Sequence, residues 1–416
     1  MLASEDRVVP PAVTAAGSAL SNRNFRFLWG NNIAFFLVMN AERFVFGWLV
    51  LEGLKLGERE QGLIVFALGL PAVFITLQAG VWADRLDRRR LLMGTQLAGA
   101  AIMSVTALFV ATGRATLGWI AVAAIVAGAA AAVGSPVRSS LISAIVPKEQ
   151  LFSAIAINAL AMTASMILGP VMARAVGGRF GFEGAFWFQA ILMVIGVGFL
   201  RVLRVPAHAD RRPSRSVRSE TMEALRHVWH DHNLRTLFGL LVLASVTINP
   251  AVMVTAQAHV KEGLGRDAGD SAIPFAFMGV GIAITSMLLI RTGDRSNKGM
   301  LFQRAVIVGA TMTFIMGRTT SFPVLLLVSF VMGLSGGFYI NMNQGLIQSR
   351  TPQPLMGRVM ALFVLTQAGF MPLGALGLGL IAHRYSPGAA MSGAAAIAWV
   401  VYVLVYVRNA ELRRLS

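Results

Sequence analysis

Long apolar segments recur along most of the chain and are separated by short polar intervals. An α-helix needs about 20 mostly apolar residues to cross the roughly 30 Å hydrocarbon core of a bilayer. The pattern therefore predicts an all-α integral membrane protein with twelve membrane-spanning helices. The predicted helices are residues 25–51, 61–83, 91–112, 117–145, 152–176, 184–203, 234–259, 272–290, 300–316, 322–348, 359–382 and 389–407.

One long polar stretch inside the chain divides the predicted helices into six and six. We therefore expect a disordered tail, a six-helix bundle, a linker, a second six-helix bundle and a second tail at residues 1–20, 21–203, 204–235, 236–407 and 408–416. Within the linker, residues 222–229 could form an amphipathic helix with Arg226 in the headgroup layer. A flexible linker without a recognition role is the alternative.

The two halves resemble one another. Aligning Gly333 with Gly128 also aligns Gly374 with Gly169. Parallel six-helix repeats, related by an axis along the membrane normal, are a known transporter architecture. The alignment therefore predicts that the two bundles are pseudo-symmetric.

Arginines cluster in alternate polar intervals. They follow the second predicted helix, occupy the linker and follow the last helix, at Arg85, Arg88, Arg89, Arg90, Arg211, Arg212, Arg215, Arg218, Arg408, Arg413 and Arg414. Cytoplasmic loops of membrane proteins collect positive residues. We therefore expect both termini and the linker to lie in the cytoplasm.

Composition excludes several classes of function. The chain is 56% hydrophobic and 13% charged, whereas globular domains carry about 25% charged residues. The net charge of +17 comes mainly from loop arginines, without the aromatic-interleaved basic face of a single-strand binder, so nucleic acid is not an expected partner. The chain has no cysteine and no phosphate-binding G-x-x-x-x-G-K-[ST] loop. We expect no cofactor, no metal site and no enzymatic activity.

The second predicted helix ends in the run Gly80-Val81-Trp82-Ala83-Asp84-Arg85-Leu86-Asp87-Arg88-Arg89-Arg90. This run resembles the signature loop of the major facilitator superfamily, G-x-L-A-D-R-x-G-R-[RK]-[RK], and departs from it at Asp87, where the family commonly has glycine. In that family the loop latches the two halves together on the cytoplasmic side when the cavity opens outward. The resemblance implies a latch made of Gly80, Asp84, Arg85 and Arg88, with Asp294 and Arg295 as counterparts in the second half. For the arginines, a purely topological role is the alternative.

Two further stretches narrow the resemblance to one branch. The runs Ser21-Asn22-Arg23-Asn24-Phe25-Arg26-Phe27-Leu28-Trp29 and Gly134-Ser135-Pro136 are similar to those of the transmembrane secretion effectors, which include siderophore and macrolide exporters. Gly169-Pro170 partly matches the glycine-proline motif of the superfamily's antiporters, and Gly374 occupies the corresponding place in the second half. The resemblance implies a bacterial inner-membrane protein, and we take these three residues as helix-packing points.

Ionisable residues inside membrane helices are costly and are therefore functional candidates. Glu42 and Arg43 lie beyond the midpoint of the first predicted helix, and Glu42 is the acidic residue that the pattern places well inside a helix. A carboxyl group there could bind a proton in apolar surroundings and release it when wetted, which would make Glu42 the proton-coupling site. A fixed inter-helix contact, neutralised by Arg138 or Arg43, is the alternative.

Other polar residues inside the predicted helices are candidates for a substrate cavity. They are Asn40, Arg43, Arg138, Asn341, Asn343 and Gln344. The repeat alignment places Arg138 opposite Asn343, which suggests a cavity between the halves. Headgroup contact of Arg138, or hydrogen bonds across helix contacts, would explain the same residues.

These observations predict a monomeric secondary transporter that works by alternating access between the two bundles. The expected task is efflux of a small amphipathic organic compound, drug-like or siderophore-like, driven by inward proton flow. Uptake, or flipping of a lysolipid-type molecule, is the first alternative on the same fold. A non-transporting membrane scaffold or sensor, which binds a partner through the linker, is the second.

Overall fold

The structure is a computed structural model that describes residues 19–147, 150–204, 217–292, 297–352, 355–413 and 415. The helices of the first half are α1 (Arg23–Trp48), α2 (Glu58–Arg85), α3 (Arg88–Ala111), α4 (Leu117–Ile145) and α5 (Leu151–Val202). Those of the second half are α6 (Val217–His230), α7 (His232–Val246), α8 (Ile248–Pro250), α9 (Ala256–Glu262), α10 (Ala272–Thr292), α11 (Lys298–Arg318), α12 (Phe322–Ser349), α13 (Met356–Arg384), α14 (Pro387–Arg408) and α15 (Ala410–Arg413).

Eleven helices in the described part of the chain are long and apolar enough to cross a membrane. The difference from the twelve predicted crossings arises in α5, where the 50 residues from Ser153 to Val202 form two helical limbs that count as one membrane span. At 1.5 Å per residue a straight helix of that length would be about 75 Å long, more than twice the thickness of the hydrocarbon core. The backbone is non-helical at Phe180 and Gly181. The predicted fifth and sixth crossings are therefore the two limbs of α5.

The seventh crossing is broken, although the sequence pattern predicts one continuous helix. It consists of α7, the short α8, a π-helical turn at Ala251–Thr255, and α9. Pro250 ends α8. Proline lacks the N–H that the preceding turn needs, and its ring crowds the carbonyl four residues earlier. Breaks of this kind in long helices are commonly found at proline or at a π-turn.

Glycines allow the closest helix contacts inside each half. A Cβ atom at Gly128 on α4 would lie 1.9 Å from the carbonyl oxygen of Leu68 on α2. A Cβ atom at Gly333 on α12 would lie 2.0 Å from the carbonyl oxygen of Met278 on α10. Since residues without side chains let helix backbones approach closely, the aligned glycines support the same packing in both halves.

Successive crossings place their ends alternately on two faces of the molecule. Asn22 donates a hydrogen bond to the Ile145 carbonyl (3.3 Å), and the Arg204 N–H donates to Asn24 Oδ1 (3.4 Å). The start of the described chain, the end of α4 and the end of α5 therefore lie together, on what we call the terminal face. The opposite face carries the turns at residues 54–57, 112–116, 180–181, 263–271, 319–321 and 385–386.

Helix α6 covers the terminal face of the second half. Ala224 and Val228 are buried, and Arg358 on α13 pairs with Glu223 at 2.5 Å. The sequence pattern left a helix or a flexible linker open at residues 222–229, and the structure has a packed helix there. The preceding part of the linker, residues 205–216, lies outside the described residues.

Candidate functional site

The two halves meet chiefly through α2 and α13. A Cβ atom at Gly62 would lie 2.7 Å from the Ala375 carbonyl oxygen, and one at Gly69 would lie 2.1 Å from Cγ of Pro372. The contact runs from the opposite face towards the middle of both helices. No larger residue fits at either glycine without displacing its neighbour.

Gln257 of α9 joins the second half to α1 and α2. Its Oε1 accepts a hydrogen bond from Gln61 Nε2 (2.8 Å), and its own Nε2 donates to the Phe44 carbonyl (3.2 Å). Gly47 leaves the space that Gln257 occupies, because a Cβ atom there would lie 2.2 Å from Gln257 Oε1. Buried amides that are hydrogen-bonded in this way tie the two halves together in one register.

Charged and aromatic side chains from both halves form a cluster on the opposite face. We call it the opposite-face network, and it comprises Trp48, Glu52 and Arg174 of the first half with Lys261, Asp267 and Asp270 of the second. Arg174 lies 3.2 Å from Asp270 and 3.8 Å from Asp267. Trp48 Nε1 donates to Asp267 Oδ1 at 2.9 Å. One guanidinium and one indole of the first half therefore hold two carboxylates of the second.

Glu52 lies in the π-helical turn Leu49–Gly53 that follows α1, and it extends the same network. Its Oε1 accepts a hydrogen bond from the Ala268 N–H (3.0 Å), its Oε2 lies 3.8 Å from Lys261 Nζ, and the same Nζ donates to the Leu51 carbonyl. The charged groups of the network are between 20% and 42% exposed. Partly exposed ion pairs each contribute modestly, so the network acts through several contacts at once.

Helices α2, α5, α10 and α13 expose large apolar side chains on the side of the terminal face. A Cβ atom at Gly369 on α13 would still lie 3.8 Å from Val73 on α2. Beyond that level, large apolar side chains of α2, α5, α10 and α13 are 50–68% exposed, namely Phe74, Ile155, Leu160, Met287 and Val364. The close contacts between the halves thus lie on the side of the opposite face, while large apolar side chains are exposed along these helices, including their part towards the terminal face.

Glu42 lies inside the first half. Its side chain is 3% exposed and borders a cavity of about 10 Å³ that is also lined by Phe35, Met39 and Gln96. A space of that size holds about one water molecule. Among the described residues, the charged group that acts on the Glu42 carboxyl is the neighbouring Arg43, and no hydrogen bond to it is formed.

Two of the predicted cavity residues on α1 do not share the surroundings of Glu42. Arg43 is exposed, since successive residues on a helix point about 100° apart. Asn40 is half-buried and donates to the Phe36 carbonyl at 2.9 Å. Asn40 also lies where α5 rests on α1, because a Cβ atom at Gly169 would lie 3.0 Å from its Cβ.

The residues expected to pack helices lie at close contacts in both halves. A Cβ atom at Gly169, which precedes the buried Pro170, would lie 3.0 Å from the Leu37 carbonyl oxygen of α1. A Cβ atom at Gly374 would lie 2.5 Å from the Val246 carbonyl oxygen of α7. The pair α1–α5 in the first half corresponds to α7–α13 in the second.

Arg138 is held inside the first half and does not reach Glu42. It is 2% exposed, donates to Oδ1 of Asn31 and to Oδ1 of Asn32 (3.0 Å), and lies 3.9 Å from the centre of the Phe35 ring. Asn32 and Glu42 are about 15 Å apart along α1 at 1.5 Å per residue. Arg138 Nε and Nη2 have no hydrogen-bond partner within the described chain.

The polar residues of α12 divide between two surfaces. Asn341 and Gln344 are exposed, and Asn341 donates to Ser286 Oγ of α10 at 3.1 Å. Asn343 is fully buried. Both polar atoms of Asn343, like those of the buried Gln303, lack a hydrogen-bond partner in the part of the chain that the structure describes. The alignment of Arg138 with Asn343 therefore pairs two residues that are each buried within their own half.

The structure describes only part of the expected latch. Gly80, Asp84 and Arg85 lie in the last turns of α2. Arg88 begins α3 and donates to the Ser140 carbonyl of α4 at 3.4 Å. Asp294 and Arg295, and with them any contact that they make, lie outside the described residues.

The opposite-face network is absent from the sequence-based expectations. Its signal is an arginine, Arg174, inside an apolar segment of α5, together with two aspartates, Asp267 and Asp270, in the loop before α10. An arginine inside a membrane-spanning helix and two aspartates in a loop are candidates for an ion pair. The sequence alone does not show that they meet, because they belong to different halves.

The family model described as Major Facilitator Superfamily matches residues 28–375, and this chain belongs to that superfamily of membrane transporters. Three relatives are similar over most of their length. YkuC, an uncharacterized MFS-type transporter of Bacillus subtilis (strain 168), is 24% identical over 87% of this chain and 85% of its own. The multidrug efflux pump Tap of Mycobacterium tuberculosis (strain ATCC 25618 / H37Rv) is 26% identical over 80% of each chain. Macrolide efflux protein A of Streptococcus pyogenes is 22% identical over 78% of this chain and 79% of its own.

Solved structures share the fold. The nucleoside transporter NupG aligns with a TM-score of 0.73 at 13% identity, over 92% of this chain and 98% of its own. The D-xylose-proton symporter aligns with a TM-score of 0.70 at 14% identity, over 94% and 99%. The protein is therefore a multi-pass membrane protein with two pseudo-symmetric six-helix bundles, the fold of its superfamily.

Proposed function

We propose that this protein exports a small amphipathic organic compound by alternating access, in exchange for protons that flow inward. The observation that carries the proposal is the one-sided contact between the halves. Glycine contacts, the Gln257 bridge and the opposite-face network join them on one side, while exposed apolar side chains face the other. The relatives named as multidrug and macrolide efflux proteins support export as the direction.

In this proposal the terminal face is cytoplasmic, in the inner membrane of a bacterium. The arginine clusters of the chain lie on that face, including Arg88, Arg89 and Arg204, as the positive-inside rule requires. The described state is then open to the cytoplasm and closed to the outside. An amphipathic substrate would enter from the cytoplasm or the inner leaflet and contact the exposed apolar side chains of α2, α5, α10 and α13.

Conversion to the outward-open state would exchange one set of contacts for another. The Arg174–Asp270 pair and the Trp48–Asp267 hydrogen bond would break, and the glycine contacts of α2 with α13 would separate. Asp84, Arg85 and Arg88, with Asp294 and Arg295 of the second half, would then latch the cytoplasmic side. A single chain contains both halves, so we propose that the monomer is the working unit.

Glu42 is the proposed site of proton exchange. A buried carboxyl group with room for about one water molecule beside it is stable when protonated and costly when ionised. Arg43, on the same turn, would favour the ionised form whenever water reaches the cavity. The alternation between these two conditions would couple the charge of Glu42 to the conformation of the first half.

Proton movement in proteoliposomes tests the proposal. A pH-sensitive dye is enclosed, a panel of lipophilic drugs and siderophores is added, and wild type is compared with Glu42→Gln and with Glu411→Gln, an exposed acid-to-amide control on α15. We expect one or more compounds to drive proton flux in wild type and in Glu411→Gln, and none in Glu42→Gln. Substrate movement that is unchanged in Glu42→Gln would refute the coupling assignment.

Two other outcomes would favour the alternative functions. Accumulation of the compound against the export direction would favour uptake or lipid flipping. Capture of a cytoplasmic protein by residues 204–235 without any transport would favour a scaffold.

A further inference from the structure

An arginine-lined groove lies on the terminal face, where the ends of α1, α3 and α5 meet. Its volume is about 540 Å³. Its polar lining consists of Arg23, Arg89, Arg201, Arg204, Asn22 and Asn24. Four guanidinium groups therefore share one groove, and the lining residues that the structure describes include no acidic side chain.

Among the described residues, no carboxylate pairs with the arginines of this groove. By contrast, Arg350 and Arg358 on the terminal face pair with acidic residues, Asp231 (3.2 Å) and Glu223 (2.5 Å). Asp87, close to the groove in sequence, caps the first turn of α3 and pairs with Arg90 at 3.7 Å. Within the described chain, none of the four groove arginines forms an ion pair. Like charges at short range repel one another, so an anion in the groove would relieve the repulsion.

The groove is organised to receive an anion. Arg89 Nη2 donates to the Arg201 carbonyl at 2.5 Å, which holds the guanidinium across the groove, and Arg89 Nε is buried without a partner in the described residues. Helices α1 and α3 both begin at the groove, at Arg23 and Arg88. Helix N-termini carry partial positive charge and favour anions, phosphate groups above all.

The position of the groove relative to the membrane and its apolar lining indicate which type of anion fits. The groove lies at the ends of membrane-crossing helices, which is the level of the lipid headgroups. Phe27, which lies 5.7 Å from the guanidinium carbon of Arg23, and Val202, which is 50% exposed, contribute apolar surface below the arginines. A ligand with a phosphate group above and hydrocarbon chains below matches this arrangement.

We infer that the groove formed by Arg23, Arg89, Arg201 and Arg204 binds the phosphate group of an anionic phospholipid. Basic pockets between membrane helices on the cytoplasmic side are suited to such headgroups. A zwitterionic lipid carries an additional ammonium group, which the four arginines would repel, so phosphatidylglycerol should bind more tightly than phosphatidylcholine. Free phosphate shares the chemistry of the headgroup but lacks the chains that would contact Phe27 and Val202.

Native mass spectrometry of the delipidated full chain in detergent tests the inference. Phosphatidylglycerol, phosphatidylcholine and inorganic phosphate are titrated separately against wild type, Arg23→Gln/Arg204→Gln and Arg90→Gln/Arg226→Gln. The control removes the same charge from exposed positions outside the groove on the same face. We expect wild type to bind the first phosphatidylglycerol about tenfold more tightly than phosphatidylcholine. We expect the groove variant to lose about tenfold and the control to stay within about twofold, in keeping with charge-assisted bonds.

The outcomes separate lipid from soluble phosphate and from net charge. Equal binding of the two lipids, or an equal loss in the control variant, would overturn the inference. Retention of inorganic phosphate by wild type and its loss in the groove variant, without selective lipid binding, would replace lipid with soluble phosphate. Both groove substitutions are at exposed side chains, and an unchanged melting temperature without lipid would show that the variant is folded.

Discussion

At the residue scale, Asp231 connects the linker helix, α7 and α12. It caps α7 by accepting hydrogen bonds from the N–H groups of Asn233 (2.8 Å) and Leu234 (3.0 Å), and it pairs with Arg350 at the end of α12. Partial burial raises its pKa, but the hydrogen bond from the Leu234 N–H, the charge of Arg350 and the Asn233 N–H together lower the pKa of Asp231 below its usual value. The ionised form therefore stabilises the fold.

We expect Asp231→Asn to destabilise the protein at neutral pH by about 0.5–1 kcal/mol. Asparagine caps a helix as well as aspartate does, so the loss reports the charge, reduced by partial exposure. A lowered pKa gives stability that is present above about pH 4, the unfolded value, and is lost as the pH falls through the folded value. Unfolding in detergent at pH 7 and at pH 3 should show a deficit that is smaller at pH 3. A deficit of equal size at both pH values would contradict this account.

Arg174 of the opposite-face network contacts two acidic residues of the second half. It pairs with two aspartates and lies 5.0 Å from the centre of the Trp48 ring. Arg174→Gln removes the charge and should weaken closure of the opposite face by about 1 kcal/mol, which corresponds to about a fivefold shift in the open fraction.

Thiol labelling measures that shift directly. Ala375, fully buried against α2, is replaced by cysteine in a chain that has no cysteine of its own. A membrane-impermeant maleimide added from the opposite face should react severalfold faster in Arg174→Gln than in wild type. Arg179→Gln is the matched control, since Arg179 is exposed on the same helix and lies over Phe180 rather than in the network. Equal labelling rates in all three proteins would remove Arg174 from the closing contacts.

At the element scale, α5 must reverse direction without leaving the opposite face. Gly181 allows this, because its φ of +74° and ψ of 176° belong to a region that is essentially restricted to glycine. A Cβ atom there would also lie 2.5 Å from Glu183 Oε2. The two limbs of α5 are therefore oriented by one residue.

Gly181→Ala should destabilise the protein by about 1–3 kcal/mol, the cost of a side chain in that backbone conformation. Gly198→Ala is the matched control, since Gly198 lies on the second limb of α5 and a Cβ atom there would meet no other atom within 4 Å. Alanine is the better helix former, so the control should keep or slightly raise its melting temperature in detergent. Equal melting temperatures of the two variants would show that the bend tolerates a side chain.

Element positions followed from the sequence more closely than side-chain directions did. The prediction for residues 117–145 coincides with α4 (Leu117–Ile145), because an apolar run between polar residues marks both ends. The break at Pro250 did not follow, since apolar length is insensitive to backbone bends, whereas the separation of residues 152–176 from 184–203 agrees with the bend in α5. The position of Glu42 within an apolar run showed that it lies inside the membrane. A helix that is apolar on all sides gives no information on which neighbour each side faces. Whether Glu42 faces the cavity of the first half or the space between the halves therefore depended on the packing.

At the scale of the whole molecule, pairing between the halves was the least accessible to sequence reasoning. The repeat alignment relates Gly128 to Gly333 within the two halves, but it contains no information on which residues meet across them. Arg174 and Asp270 are brought within 3.2 Å by the docking of two separately folded bundles. Such contacts change during alternating access, so a single sequence pattern cannot specify them for every state.

A crosslink between the halves tests whether that docking must be broken for transport. Ile167 on α5 and Gly279 on α10 belong to different halves, and a Cβ atom at Gly279 would lie 3.4 Å from Cβ of Ile167. Disulfides form at Cβ separations of about 3.5–4.5 Å, and truncation of Ile167 removes the side-chain atoms that would crowd a residue at Gly279. Oxidation of Ile167→Cys/Gly279→Cys should therefore lock the described state and reduce transport at least tenfold.

Reduction should restore transport in the double variant, and each single cysteine variant should be insensitive to oxidant because the chain contains no other thiol. Labelling of exposed positions on the terminal side, such as a cysteine at Phe74, should remain fast in the locked protein, since that side stays open. Full transport activity in a protein shown by mass spectrometry to be completely crosslinked would mean that α5 and α10 need not separate. The route of the substrate would then lie within one half rather than between the two.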